Sequence, residues 1–391
     1  MTSRKYNFDE IIERRNTNSV KWHVKDDELP LWVADMDFRV APEILKAIEQ
    51  RVDNGIFGYT YIEDKWKDSV INWWKKRHFH TINPDSLVFT LGGVPAFATI
   101  LREFTDVGDK VLLSSPAYNA FYNVVRNNGR IVVENDLQFK NDKYSLDIKD
   151  LENKMSDERA KLFILCNPHN PTGNIWTKEE LVQIGNIAKK HAVLVISDEI
   201  HCDIVDPGLQ YTPYASVSDV ARMNSITLSS CTKAFNVAGI QTSIAYADNS
   251  EILTRLKKAV NDDEVGEANV FSVLTTVAAF DKSEDWLIEL NEYLYKNKIF
   301  VREFAKEHLS KLKVINQGAT YLMWIGIEDY LGKYKNSKEF CYELRKKTGL
   351  YVSDGMIYGK ESGKNFFRLN VACPRSRLED AMKRLEKFIK S

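Results

Sequence analysis

Between about residues 86 and 250, short apolar runs alternate with longer amphipathic stretches. Ser86–Thr90, Lys110–Ser114, Arg130–Glu134, Lys161–Cys166, Ala192–Ser197, Ser225–Ser229 and Ser243–Ala247 read as buried strands. Helices are predicted over Ala96–Phe104 and Lys178–Lys190. The second opens with Thr177 followed three residues later by Glu180, the signature of a capping box. Strands that alternate with helices predict a mostly parallel sheet covered on both faces.

The last third has a different rhythm. One long helix is predicted over Trp286–Leu309, strands over Thr320–Ile327 and Phe366–Ala372, and helices over Lys338–Lys346 and Arg377–Lys390. That mixture predicts a smaller α+β domain, completed by the N-terminal segment. The length of 391 residues agrees, since it exceeds what one hydrophobic core usually serves.

Composition narrows the function classes. Hydrophobic residues at 44% and charged residues at 28% describe a globular chain, not a disordered one. The formal net charge of −1 supplies no basic field for a nucleic-acid backbone or an anionic membrane, so neither partner is expected. Cys166, Cys202, Cys231, Cys341 and Cys373 are scattered without a CxxC pair, which predicts reduced thiols in a cytoplasmic protein. Met1–Glu13 carries charges throughout and predicts no secretory signal. No apolar run approaches the length of a membrane span.

Candidate chemistry gathers where predicted strands end. Lys233 follows Ser225–Ser229 almost at once, at the edge where α/β sheets place ligands. A desolvated lysine there has a lowered pKa and is a nucleophilic amine, although a lysine in a loop is ordinarily a solvated charge. Ser230 offers a hydroxyl to an anion. Asp198 ends another apolar strand, with His201 three residues on. Asp198 reads either as a helix cap or as a carboxylate that keeps a pyridine nitrogen protonated. Asn170 lies in the turn Asn167-Pro-His-Asn-Pro-Thr-Gly173 at the same edge, where an amide can fix a ring hydroxyl oxygen.

An anion site is legible in Gly92-Gly93-Val94-Pro95, between a strand and a helix. The spacing fits neither a dinucleotide fingerprint nor a P-loop. Tyr118 follows a third strand and reads as core packing or as a ring that stacks on a flat heterocycle. Arg368 and Asn370 lie opposite Phe367, Leu369 and Val371. An inward arginine needs an anion, either a structural carboxylate or the carboxylate of a ligand.

Together these motifs resemble the fold type I pyridoxal-phosphate enzymes of the aminotransferase class I/II superfamily, over nearly the whole chain and in the same order. The resemblance is closest to the cystathionine β-lyase (C–S lyase) branch. It rests on Val33-Ala-Asp-Met-Asp-Phe38, Gly55-Ile-Phe-Gly-Tyr59, Cys166–Gly173, Ile196–His201 and Arg368–Ser376. It implies a large pyridoxal-phosphate-binding domain over 48–282, and a small domain formed by 1–47 and 283–391.

It also implies roles. Lys233 is expected to hold the cofactor as a Schiff base, and Asp198 to pair with the pyridine nitrogen. Asn170 and His201 would contact the ring hydroxyl oxygen, Tyr118 would stack on the ring, and Gly93, Val94 and Ser230 would hold the phosphate. Tyr59 would reach that phosphate from the other subunit of a homodimer, and Arg368 would bind the substrate's α-carboxylate. No metal is expected. Many relatives carry a tyrosine where His201 stands. Many aminotransferases have a phosphate-binding arginine eight residues after the lysine, where this chain has Gln241.

The expected reaction is α,β-elimination from L-cystathionine or another cysteine S-conjugate, giving a thiol, pyruvate and ammonia. The alternatives are transamination on the same cofactor, and a regulatory or partner-binding protein that keeps the fold.

Overall fold

The computed structural model describes residues 5–140, 143–315 and 318–391. The first four residues of Met1–Glu13 lie outside them. Seven strands form the main sheet, in the order Leu87–Thr90, Ser243–Tyr246, Ser225–Ser229, Leu194–Asp198, Ala160–Cys166, Lys110–Ser115, Ile131–Asp136. Six run parallel, and Ser243–Tyr246 is antiparallel to both neighbours. The carboxyl ends of all six therefore reach one edge.

Alternation along a strand explains the layers. Val111 and Leu113 enter one apolar core with Ile164, Ile196 and Leu228, while Leu112 enters another with Phe163, Leu165 and Val195. Helices Gly93–Phe104 and Ser250–Asp262 cover the first core, and Lys178–Lys190 covers the second. Thr177 caps the latter in the predicted box, accepting from the Glu180 N–H while the Glu180 carboxylate accepts from Thr177 N–H.

A second, antiparallel sheet orders Lys313–Val314, Leu322–Gly326, Phe366–Asn370 and Ser353–Asp354. Helices Glu284–His308, Ser337–Thr348 and Arg375–Lys390 belong to this part. Both faces of Phe366–Asn370 are covered, so Arg368 and Asn370 are as buried as the apolar residues between them.

The N-terminal segment ties the two sheets together. Leu29–Pro30 pairs in parallel with Leu350–Tyr351. Asn370 then donates to the carbonyls of Val33 and Asp35, and Asn236 bonds Met36 and Phe38. Asp37 is buried under this segment against Lys21 at 3.1 Å, Arg14 at 2.7 Å and Trp22 Nε1 at 2.9 Å. Burial by itself would raise its pKa, yet Lys21, Trp22 and Arg14 hold the carboxyl below the usual range.

Seven α-helices among the described residues carry no counterpart in the sequence reading: Pro42–Asn54, Asp64–His78, Asn119–Asn127, Ile148–Met155, Asp219–Met223, Ser250–Asp262 and Ser272–Lys282. All five cysteines are buried and unpaired. No helix among the described residues is long and apolar enough to cross a membrane.

Candidate active site

A cavity of about 250 Å³ opens at the carboxyl edge of the main sheet. Lys233, Asp198, Asn170, His201, Tyr118, Gly93 and Val94 all line it, with Ala34, Thr232 and Gln241. The predicted residues arrive from the carboxyl ends of five strands, Gly93 and Val94 after Leu87–Thr90, Tyr118 after Lys110–Ser115, Asn170 after Ala160–Cys166, Asp198 and His201 from Leu194–Asp198, and Lys233 after Ser225–Ser229, so the sheet's parallel order is what gathers them.

Strand Ser225–Ser229 delivers Lys233, whose Nζ donates to the Ala34 carbonyl at 2.8 Å. Burial, helped by the charge of Arg368, lowers its pKa to about 8; Asp35 and Asp198 oppose the shift only weakly. About a tenth of the amine is therefore neutral at pH 7, far more than for a solvated lysine. Asp198 ends the neighbouring strand, and its Oδ1 accepts from Ile200 N–H at 3.2 Å. Burial raises this carboxyl to about 6 against the pull of that N–H and of Lys233. A cationic ring nitrogen is the partner that would restore its ionised form. The adjacent Glu199 is turned to other partners, Ser197, Tyr211 and Tyr214, and so fixes the strand end that presents Asp198.

His201 is buried and held neutral, its pKa lowered to about 3 by burial and by the charges of Lys233 and Arg368. Its Nδ1 is buried without a hydrogen-bond partner. Arg368 donates through one amino group to Asn170 Oδ1 at 3.1 Å and through the other to the Trp32 carbonyl at 3.0 Å. Its Nε is buried and unpartnered as well. The bond to Arg368 uses the Asn170 oxygen and leaves the amide nitrogen as the donor for a ligand. Tyr118 stands edge-on to Phe121 with ring centroids 5.5 Å apart.

Helix Gly93–Phe104 begins in the cavity wall. Its first N–H groups have no intrahelical acceptor, and Pro95 has none to leave idle. Ser230 is absent from the lining. Its hydroxyl donates to the Thr242 carbonyl at 2.6 Å and accepts from Thr232 N–H at 3.0 Å, while Thr232 itself faces the cavity. Tyr59 does not line the cavity and is fully exposed in the irregular segment 55–63, beside exposed Ile56 and Phe57. Sequence reasoning missed Ala34, Trp32 and Tyr321; the Tyr321 hydroxyl shares the Ala34 carbonyl with Lys233, at 3.1 Å.

The arrangement offers a nucleophilic amine, a buried acid, an anion-binding helix start and two orphaned buried nitrogens. These are what a phosphorylated pyridine aldehyde and an amino-acid carboxylate require, so the residues present fit pyridoxal phosphate.

Comparisons with known proteins agree. The model of the family "Aminotransferase class I and II" matches residues 26–385. The chain is 38% identical to the cystathionine beta-lyase PatB of Bacillus subtilis (strain 168), with 97% of this chain and 99% of that protein aligned. Cystalysin from Treponema denticola, whose crystal structure contains pyridoxal 5'-phosphate, superposes with a TM-score of 0.94 at 31% identity, covering 98% and 99% of the two chains. The pyridoxal-phosphate-bound C–S lyase from Staphylococcus hominis gives 0.93 at 32% identity, over 100% and 99%.

Proposed function

The chain belongs to the aminotransferase class I and II family, and from that premise we propose that it is a pyridoxal-phosphate-dependent C–S β-lyase. The observation that carries the reading is Lys233, a buried amine with its pKa lowered to about 8, in one cavity with the buried carboxyl of Asp198. Its substrate is L-cystathionine or a related cysteine S-conjugate. In this reading the cofactor-binding domain spans 48–282, and 1–47 with 283–391 form the smaller one.

When bound, pyridoxal phosphate supplies an electrophilic carbon for the substrate's amine and a cationic ring that withdraws charge from Cα. Lys233 is its covalent anchor, and Asp198 keeps a proton on the ring nitrogen. Asn170 and His201 hold the ring hydroxyl oxygen, and Tyr118 covers the ring. Gly93 and Val94 offer backbone N–H groups to the phosphate. Ser230 backs that site by fixing Thr232, and Gln241 stands where many aminotransferases have an arginine.

Arg368 grips the substrate carboxylate with its fork. Released from the cofactor, Lys233 removes the Cα proton as general base. The Cβ–S bond then breaks with its electron pair on sulfur. With one water consumed, cystathionine yields homocysteine, pyruvate and ammonia. Tyr59 completes the phosphate site of a second copy, which is how an exposed tyrosine beside Ile56 and Phe57 acquires a function.

The test is pyruvate release from L-cystathionine without any keto acid, with borohydride reduction to map the attached residue. Pyruvate and a label on Lys233 are expected. Amino transfer that appears only when a keto acid is added would make the chain an aminotransferase, and a label elsewhere would refute the site.

A further inference from the structure

Tyr358 plays no part in the reaction as described, yet it is buried against the residue that reads the substrate. The Arg368 guanidinium carbon lies 4.7 Å from the centroid of the Tyr358 ring, and Tyr358 is 1% exposed. We propose that Tyr358 is a positioning residue for substrate recognition, its ring holding the Arg368 fork in the plane that meets the carboxylate. This deepens the lyase reading and rests on the role given there to Arg368.

Three observations support it. First, the two amino groups of Arg368 already have protein acceptors, and only Nε lacks one. The guanidinium therefore needs a face to lie on as well as edges to bond, and a desolvated aromatic ring attracts it there.

Second, Tyr358 is itself held in place by its neighbours. Trp324 meets it edge-on at 5.6 Å and 89°. Trp324 and Ser353 are the cross-strand partners of Arg368, so the three project from one face of the sheet. Ser353 also donates to the Trp32 carbonyl that Arg368 uses. The short helical turn Gly355–Tyr358 sits where no side chain fits, since a Cβ on Gly355 would fall 2.3 Å from the Phe366 carbonyl oxygen.

Third, the Tyr358 carbonyl accepts from Ala117 N–H at 2.6 Å and from the Tyr122 hydroxyl at 2.9 Å. Ala117 immediately precedes Tyr118. One residue thus fixes the distance between the carboxylate-binding arginine and the ring that covers the cofactor.

The experiment uses holoenzyme of the wild type, Y358F and Y358L. Binding of L-alanine and of ethylamine, which lacks the carboxylate, is followed by the cofactor's absorption, and kcat and KM are measured with L-cystathionine. Y358L should raise Kd for L-alanine and KM for L-cystathionine by about tenfold, as loss of a desolvated cation–π contact predicts. Its kcat and its affinity for ethylamine should stay within about twofold, the spread of a near-neutral change, and Y358F should match the wild type throughout. Equal weakening for alanine and ethylamine, unchanged alanine binding, or failure of Y358F to rescue would overturn the proposal. If Y358L does not retain the cofactor, fluorinated phenylalanines at 358 decide: Kd for L-alanine should rise stepwise as the ring loses negative charge, and a flat series overturns the idea. Alanine binding needs no C–S cleavage, so a wild type that releases no pyruvate would sink the lyase reading and leave this test standing.

Discussion

Lys233 donates to the backbone carbonyl of Ala34, 199 positions earlier in the chain. The amine is thus docked on the N-terminal segment, and Tyr321 bonds the same oxygen from the second sheet. Drying of the amine depends on this closure, because burial is the largest cause of its lowered pKa.

That gives a pH prediction for cofactor capture. Only the neutral amine attacks an aldehyde, and neutral amine grows as pH rises towards a pKa of about 8. The rate at which cofactor-free protein takes up pyridoxal phosphate should climb about tenfold per unit below that value and level off above it. Stopped-flow absorbance between pH 6 and 10 reads this; a rise that continues past pH 9.5 would mean a solvated lysine.

Asp198→Asn removes the charge that a ring cation pairs with while keeping the shape. Turnover should fall roughly 10²–10³-fold, as for other lost electrostatic partners at reacting centres. Steady-state pyruvate release measures it, with cofactor content checked by absorbance.

Arg368→Lys keeps the charge and loses the planar fork, leaving Asn170 Oδ1 and the Trp32 carbonyl without their present donors. We expect kcat/KM for L-cystathionine to drop about a hundredfold, near 3 kcal/mol. A change below threefold would show that another group binds the carboxylate.

Lys298 and Asp206 form a buried pair at 2.5 Å, and neither lines the cavity. Lys298→Met strands the Asp206 charge and should cost about 3–5 kcal/mol in urea unfolding. Cofactor spectrum and kcat of the protein that remains folded should be unchanged.

Much of the sheet and half of the site were legible because they rest on side-chain patterns. Buried strands show as dense apolar runs, and Lys233, Asp198 and Asn170 announce themselves as polar residues directly after such runs. Helices were less visible. Asp64–His78 buries Trp66, Trp73 and Trp74 but is mostly charged elsewhere, although Pro42 at the start of Pro42–Asn54 and Asn249 capping Ser250–Asp262 were available signals. The contacts made by Trp32, Val33 and Ala34 were invisible for a different reason. They act through carbonyl oxygens, which every residue possesses. Ser230 shows the converse limit: its type suited an anion site, but its hydroxyl is spent on Thr242.

Asn370 gives its amide to Val33 and Asp35, across 337 and 335 positions of chain. At synthesis speeds of about 5–20 residues per second, the two ends of that clasp leave the ribosome on the order of half a minute apart. Over the last third of that interval all seven strands of the main sheet have been made, but the lysine has no clasped cover to lie under. Cofactor loading is thereby tied to the finished polypeptide, and a chain stalled before its last strand would be a scaffold without vitamin chemistry.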